Sequence, residues 1–549
     1  MPAPPPADAA ASRARRFGAG VALGALVLAA YLPALRGGFV WDDDATLTRN
    51  PVVAASDGLR RIWLTTEPRD YWPVTYSGLW AEWRLWGPHP LGYHAVSVAL
   101  HLATVLLLWG LLRRVWEDPP GAWLAAALFA LHPVNVESVA WVTQQKNLLA
   151  MLFYLAAIHA FWRAEEGGRP GWRLLALAAF GLAMLSKGSV AMLPFVFLGM
   201  IRWRQPLTRR DWGRIAPFFV VAFVLVAVNL WFQAQAAGGG EVRGDGLLPR
   251  ILGAAAAGWF YLCHALWPTH LAFIYPDWQV RAEGWRWWLP LAAALAATGG
   301  LAWAAARHRL GRGALFAWTY FWAALVPVLG FVDVYYMRYS PVADHYQHLA
   351  IIGVVVWVAA GWRAFVRRFP ARGFRAVPVF VLAWLGILTW RQGLNYRDSR
   401  TLYLATLRAN PRAWLAHFNL GEALLEEGRV SEAIGHFEGA LRAKPDYFEA
   451  RNNLGIALAE ANRLPEAAAQ FEAAVRLQPG YAPAHVNLGK VWLQERRAAD
   501  AIAQFREAVR LGPDSADAHR ALGVVLNATG QAAEARQEFA AAARLDRRP

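Results

Sequence analysis

Twelve long apolar segments occupy most of the first 391 residues and limit the fold more than any other feature. They run near 17–36, 93–112, 122–136, 147–164, 173–186, 189–203, 215–233, 250–267, 286–306, 314–332, 349–366 and 374–391. Lipid offers no hydrogen-bond partners to the backbone, so segments of this kind cross a membrane as helices. Because 57% of the 549 residues are hydrophobic, one soluble domain is excluded. The sequence predicts an all-α, polytopic membrane domain over 17–395.

Basic connections between the apolar segments predict its orientation. They are Arg113-Arg114 and the stretches 202–214, 307–312 and 363–375. Such residues face the cytoplasm, and all four do so only if 250–267 is a re-entrant or interfacial helix. About eleven spans result, with residues 1–16 as a cytoplasmic tail and 37–92 as an outer loop. A cleaved signal peptide is the alternative for the first segment, which is longer than a typical signal core.

The net charge of +16 is confined to this membrane part. From Pro411 onward the chain has 17 Lys and Arg against 18 Asp and Glu, a net of −1, which leaves +17 for the first 410 residues. No basic stripe follows the soluble part, so the charge reflects membrane orientation and no nucleic-acid partner is expected.

The last 139 residues carry a repeat of 34 residues. Its markers are Pro411, Pro445, Pro479 and Pro513, Gly421, Gly455, Gly489 and Gly523, and Phe437, Phe471, Phe505 and Phe539. This period is typical of tetratricopeptide repeats, each a pair of antiparallel helices. We predict four repeats over 411–549, forming an α-solenoid after a linker at 396–410. Asn419, Asn453 and Asn487 either hold an acceptor peptide in its groove or support the neighbouring backbone.

Three adjacent acids, Asp42, Asp43 and Asp44, follow the first apolar segment. Neighbouring carboxylates repel one another and resist burial, so packing does not account for them. A chemical role is one reading, as a proton acceptor or as ligands of Mg or Mn. The other reading is that they mark the entry of the loop into water.

More polar residues fall on the same predicted outer side. They are His132, Glu137, Gln144, Lys146, Lys187, Arg338, Asp344, His345 and Tyr346. Polar residues at membrane depth are candidates for function, although a lysine there also reaches the interface without one. Their convergence on one side predicts a single site.

Several short motifs occur in a fixed order along the chain. They are Phe39-Val40-Trp41-Asp42-Asp43, Gly92-Tyr93-His94 with His101, His132-Pro133 with Glu137, Lys146-Asn147-Leu148-Leu149, Ser186-Lys187 and Ala343-Asp344-His345-Tyr346. With the repeats that follow, this set resembles the transmembrane and tetratricopeptide repeat containing O-mannosyltransferases and their bacterial relatives. The resemblance implies the GT-C glycosyltransferase fold and action on the non-cytoplasmic side of the membrane. It also implies a sugar donor linked to a lipid phosphate, and the sugar in this family is mannose.

The resemblance also implies roles for individual residues. Asp42 or Asp43 is the predicted base that takes the proton of an acceptor hydroxyl, with Asp44 as an additional acid. Lys146, Lys187 and Arg338 are predicted to bind the donor phosphate. His94, His132, Glu137, Gln144, Asp344, His345 and Tyr346 are predicted to line the site. A divalent metal, Mg or Mn, is the alternative role for the acids, and no other cofactor is expected.

Two further functional classes fit parts of the sequence. Tetratricopeptide arrays usually bind peptides, so a non-catalytic membrane scaffold for envelope assembly is the main alternative. A transporter is disfavoured because the hydropathy shows no inverted repeat. We expect a protein acceptor bound through the array, and a location in the bacterial inner membrane with the array in the periplasm.

Overall fold

The computed structural model describes residues 6–68, 70–116, 118–167, 169, 171–236, 244–332 and 334–547. Helices account for 79% of the structure, and no strand occurs in these ranges. The predicted all-α class is confirmed. The chain divides into two compact units, Met1–Leu402 and Tyr403–Pro549.

The first unit contains sixteen helices within the described ranges. They are α1 Pro6–Tyr31, α2 Pro51–Ala54, α3 Gly58–Leu64, α4 Pro73–Trp86, α5 Pro90–Val115, α6 Pro119–Ala130, α7 Val136–Ala140, α8 Gln145–Glu165, α9 Gly171–Ser186, α10 Leu193–Arg204, α11 Arg209–Ala236, α12 Leu247–Leu266, α13 Trp288–Arg307, α14 Arg309–Leu325, α15 Ile351–Arg368 and α16 Val377–Leu394. Several of them, including α4, α5 and α6, have proline in the first turn, where its missing N–H costs no helical hydrogen bond.

Six helices in the described ranges are long and apolar enough to cross a membrane. They are Arg13–Tyr31, Pro90–Val115, Val142–Glu165, Arg209–Gln235, Trp285–Arg307 and Arg372–Leu394. The pair α6 and α7, bent by 50° at His132-Pro133, makes a seventh if it is one span. The protein is therefore a membrane protein.

The predicted count of eleven spans stays a prediction. The helices at four predicted spans, α9, α10, α14 and α15, have 16, 12, 17 and 18 residues, fewer than the about 20 that a bilayer requires. Helix α12, predicted as re-entrant or interfacial, is not among the six.

The predicted outer loop is largely folded. Helices α2, α3 and α4 lie within 37–92, and their apolar side chains pack on residues of the membrane helices. Leu47, Val53 and Leu79 form one buried cluster with Tyr93 of α5 and Val142. This cluster fixes the loop that carries the three acids to the body of the membrane unit.

The predicted linker at 396–410 contains a further helix, α17 (Ser399–Ala409), and the division between the two units falls within it. The segment thus contains regular structure, and its assignment as a linker stays a prediction. Eight helices follow. They are α18 Trp414–Glu426, α19 Val430–Ala443, α20 Phe448–Glu460, α21 Leu464–Leu477, α22 Ala482–Gln494, α23 Ala498–Leu511, α24 Ala516–Ala528 and α25 Ala532–Leu545.

These eight helices form the four predicted repeats. In each repeat the glycine of the first helix faces the phenylalanine of the second. A Cβ atom at Gly489 would lie 2.7 Å from Phe505 Cε1, and one at Gly455 would lie 2.6 Å from Phe471 Cε1. Only glycine allows this approach, which explains the 34-residue recurrence of both residue types.

Candidate active site

The three acids occupy three different environments. Asp42 is half-buried and accepts a hydrogen bond from Trp141 Nε1 at 3.0 Å. Asp43 is fully buried and accepts three hydrogen bonds, from Val40 N at 2.9 Å and from Thr143 N and Oγ1 at 2.8 and 2.7 Å. Asp44 is exposed and accepts from Thr48 Oγ1 at 2.6 Å. Asp43 thus joins the loop at Val40 to the loop at Thr143, while Asp44 forms a hydrogen bond within its own turn.

The backbone before Asp42 is strained. Trp41 has a φ of +49°, a left-handed conformation that costs a bulky residue about 1–2 kcal/mol. Its ring is held by four other rings, with centroid distances of 5.0 to 5.6 Å. They belong to Trp141, Phe273, Tyr336 and Tyr339. This aromatic cluster holds Trp41 in place and so directs Asp42.

Burial changes the acidity of both carboxyl groups. Desolvation and the negative charge of Asp42 raise the pKa of Asp43 to about 7, although its hydrogen bonds oppose the shift. Desolvation also raises the pKa of Asp42, whereas the positive charge of Lys146 lowers it. Asp42 is therefore the acid that combines a nearby cation with partial exposure.

The Lys146 ammonium lies between aromatic rings at the start of α8. Its Nζ is 4.3 Å from the ring centroid of Trp72 and 6.0 Å from that of Trp141. The residue is 8% exposed. Because Trp141 also donates to Asp42, one indole contacts both the predicted base and a predicted phosphate ligand.

Lys187 reaches the same region from the end of α9. Its Nζ donates to Asn147 Oδ1 at 2.6 Å, and Asn147 Nδ2 donates to Gln144 Oε1 at 2.9 Å and Ser138 Oγ at 3.1 Å. Burial and the charge of Lys146 lower the pKa of Lys187 well below its usual value. The two lysines are close enough to repel each other, an arrangement that an anion between them would stabilise.

A third predicted group joins the loop at 333–348 to α7. Glu137 Oε2 accepts from the backbone N of His345 at 2.9 Å, and its Oε1 lies 3.0 Å from His345 Nδ1. Tyr275 donates to Asp344 Oδ1 at 2.9 Å, and burial raises the pKa of Asp344 to about 7. The Tyr346 ring lies 5.8 Å from Lys187 Nζ, so this group borders the lysines.

Two of the three predicted site histidines, His94 and His132, bind backbone carbonyl groups. His94 Nε2 lies 3.3 Å from Gly38 O, and His132 Nε2 lies 2.9 Å from Ala265 O. Both residues are buried, and His94 supports the loop that leads to the acids. In the structure, His94 and His132 therefore support the backbone around the site.

Arg338 stands apart from the two lysines. Its side chain is exposed, and its guanidinium lies 5.4 Å from the ring centroid of Tyr335. Its neighbours Tyr336 and Tyr339 both contact the Trp41 ring. Its role as a phosphate ligand stays a prediction.

Residues that the sequence analysis did not select complete the site. Trp141 and Thr143 bind the acids, and Tyr275 binds Asp344. The negative charge of Asp70 in the outer loop acts on both Lys146 and Lys187. Trp141 and Thr143 lie between two motifs of the ordered set, a position that offered the only sequence signal for them.

The three acids do not converge as metal ligands. Asp43 is engaged by three donors and Asp44 is turned to the surface. Within the described ranges, no group of three or more His, Cys, Asp or Glu residues is arranged to hold a metal ion. This donor set suits Mg or Mn poorly, because a hard cation needs several oxygens aimed at one point.

The predicted acceptor asparagines each donate a hydrogen bond to an earlier helix of the second unit. Asn419 donates to the Tyr403 hydroxyl, Asn453 to Glu422 Oε1 and Asn487 to Asn452 Oδ1, each at 2.9 Å. Two of these bonds join one repeat to the preceding one. The supporting role is thus visible, and peptide binding stays a prediction.

Comparison with known proteins defines the class of the chain. The family model described as Dolichyl-phosphate-mannose-protein mannosyltransferase matches residues 73–232, which include Lys146 and Lys187 but not Asp42. The model described as Tetratricopeptide repeat matches 385–448, 432–482 and 486–548. The chain thus joins a mannosyltransferase-type membrane region to a tetratricopeptide array.

Individual relatives specify the family. The Caenorhabditis elegans protein "Protein O-mannosyl-transferase F38B6.6" is 34% identical over 145 residues, 23% of this chain and 20% of the relative. The human "Protein O-mannosyl-transferase TMTC4" is 30% identical over 202 residues, 31% and 27% of the two chains. The match thus spans about a quarter of the length of these relatives. The predicted resemblance to the transmembrane and tetratricopeptide repeat containing (TMTC) proteins is confirmed, and the chain is TMTC-like.

Solved structures also match part of the chain. The crystal structure of MamA is 22% identical and covers 27% of this chain and 86% of its own, with a TM-score of 0.26.

Proposed function

We propose that this protein transfers mannose from a polyprenyl-phosphate donor to a hydroxyl group, on Ser or Thr of an exported protein, at the outer face of the membrane. The observation that carries the proposal is the convergence of Asp42 and Lys146 on Trp141, with Lys187 nearby. The relatives named above, which are protein O-mannosyl-transferases, support the reaction type.

In this proposal Asp42 is the base. The acceptor oxygen attacks the anomeric carbon and its proton passes to the Asp42 carboxylate. A new C–O bond forms as the bond between the anomeric carbon and the phosphate oxygen breaks. The positive charge of Lys146 opposes the rise in the pKa of Asp42 that burial causes, and the partial exposure of Asp42 leaves its carboxylate open to a hydroxyl.

Asp43 has a positioning role. Its three hydrogen bonds fix the loop 40–43 against Thr143, and its raised pKa keeps a proton on it more readily than on an exposed acid. A neutral Asp43 does not repel the ionised Asp42. The two adjacent acids thus differ in role because they differ in burial.

Lys146 and Lys187 bind the leaving phosphate. Two ammonium groups in a region largely shielded from water stabilise the charge that the lipid phosphate gains as it departs. Asn147 holds Lys187 at 2.6 Å and fixes its direction before substrate arrives. No step of this mechanism uses a metal ion.

The test is mannose transfer by the full-length protein in proteoliposomes, with polyprenyl-phosphate mannose and an envelope protein extract. Asp42→Asn should lower the transfer rate by about 10² to 10⁴, the usual contribution of a general base. Asp57→Asn is the matched control, since Asp57 is an exposed acid of the same loop. Equal transfer by wild type and Asp42→Asn would refute the base. Peptide binding without transfer from any donor would instead support the scaffold.

A further inference from the structure

A large apolar groove lies among four helices of the membrane unit, α1, α6, α15 and α16. Its volume is about 770 Å³, within the range of ligand-binding cavities. Leu26, Trp123, Leu382 and Ile387 are typical of its lining. None of the residues assigned to the transfer reaction lines it.

The groove lies at membrane depth. Helices α1 and α16 are both among the apolar helices long enough to span a bilayer. A cavity of this size without polar groups along its middle offers water no hydrogen-bond partners. A hydrocarbon chain is the occupant that matches this lining.

The two ends of the groove differ in charge. Near one end, Arg363 Nε lies 2.8 Å from Asp118 Oδ2 and Arg367 lies 3.3 Å from the same oxygen, so a buried carboxylate accompanies these cations. At the other end, Arg391 is exposed in the last turn of α16. In the described part of the chain, it has neither an ion pair nor a hydrogen bond.

The separation of the ends suits a membrane lipid. Pro378 lines the groove near Arg363, and Arg391 follows it on the same helix. Thirteen residues at the helical rise correspond to about 20 Å. A lone cation at the end of a hydrocarbon groove of that length favours an anionic headgroup there, with the chains inside.

We propose that this groove binds one anionic phospholipid, with its acyl chains among α1, α6, α15 and α16 and its phosphate on Arg391. This lipid is a second lipid beside the sugar donor. The donor phosphate is assigned to Lys146 and Lys187, and neither lysine lines the groove. The proposal stands whether or not the chain transfers mannose.

The test is lipid retention by the full-length protein in nanodiscs of phosphatidylcholine with a minor fraction of phosphatidylglycerol. After transfer to detergent, native mass spectrometry counts the lipids that stay bound. Wild type should keep one phosphatidylglycerol. Arg391→Gln should lower retention about five-fold, the contribution of one basic residue to binding of an anionic lipid. Arg391→Lys should retain most of it.

Two further variants complete the test. Gly386→Leu places a side chain in the groove, where a Cβ at Gly386 meets only Leu131 Cδ2 at 4.0 Å, and should also release the lipid. Arg372→Gln, an exposed arginine before α16, should leave retention unchanged. The proposal is overturned if Arg391→Gln keeps phosphatidylglycerol as wild type does. Equal retention of phosphatidylcholine, or a polyprenyl phosphate in its place, would overturn it as well.

Discussion

Charged residues have opposite environments in the tetratricopeptide array and in the candidate site of the membrane unit. In the array, Arg429, Arg463 and Arg497 each pair with an acid three residues later, at 2.6 to 2.8 Å and on the exposed surface. In the membrane unit, Asp43, Glu137 and Asp344 are buried with at most 1% exposure, and none of the arginines that the structure describes pairs with them.

The difference separates structure from function. Exposed pairs contribute little to stability, and their repetition follows from the repetition of the helix starts. Buried carboxylates are costly to desolvate, so a fold gains little stability from keeping them. Their concentration beside two lysines marks the part of the molecule where we place chemistry.

A large effect on the transfer rate is expected at Lys187. Lys187→Met removes a cation from the proposed phosphate site, and loss of one such group typically lowers the rate by about 10² to 10³. The measurement is the mannose transfer rate at saturating donor. Arg338→Gln, which removes an exposed cation, should lower the rate by less than ten-fold. A larger loss for Arg338→Gln would move the phosphate site towards the loop at 333–348.

The next effect concerns the pH dependence of stability. The pKa of Asp43 is about 7 in the folded protein, against 3.8 as its ordinary value. The folded state thus binds the proton of Asp43 more tightly than the unfolded state does. The contribution of this protonated group to the free energy of unfolding therefore declines as pH rises from about 4 to 7. The melting temperature of wild type should fall more steeply over that window than that of Asp43→Asn. Asp344, whose pKa is also about 7, is present in both proteins, so its effect on the melting temperature cancels in the comparison. Parallel curves would contradict burial of Asp43.

A smaller effect of known sign is expected in the array. Gly489→Ala places a methyl group 2.7 Å from Phe505 and should destabilise the array by about 1–3 kcal/mol, less the helix propensity that alanine gains. Gly435→Ala meets nothing within 4 Å in α19 and should stabilise it by about 0.5–1 kcal/mol. Hydrogen exchange of the array helices in the full-length protein measures both. The same sign for both variants would contradict the packing described for Gly489.

The smallest effect is expected for the exposed pairs. Arg463→Gln removes a surface ion pair of α21 and should change the melting temperature less than Gly489→Ala does. A change in melting temperature larger than that of Gly489→Ala would contradict the view that the exposed ion pairs of the array contribute little to stability.

The array could be predicted from sequence almost completely, because Gly489 and Phe505 meet within one repeat and the pattern recurs four times. The helical class of the membrane unit followed from hydropathy. The number of spans stays a prediction, because hydropathy alone does not decide whether a helix as short as α10, with 12 residues, crosses a bilayer. The segment 396–410, predicted as a linker, contains the helix α17, which the sequence analysis did not select.

The site was predicted in part. The ordered motifs selected Asp42 and Lys146, which the structure brings to Trp141, and Lys187, whose pKa responds to the charge of Lys146. They did not separate Asp42 from Asp43, because the difference lies in contacts with Thr143, 100 residues away in sequence. Asp70 lies outside the motifs and was missed for that reason.

The most direct measurement compares two neighbouring acids in one preparation. The turnover number for mannose transfer is determined for Asp42→Asn and Asp43→Asn in proteoliposomes at saturating donor. If Asp42 is the base and Asp43 positions it, Asp42→Asn loses about 10² to 10⁴ of the rate and Asp43→Asn loses clearly less. A rate for Asp42→Asn equal to or above that of Asp43→Asn would contradict the account.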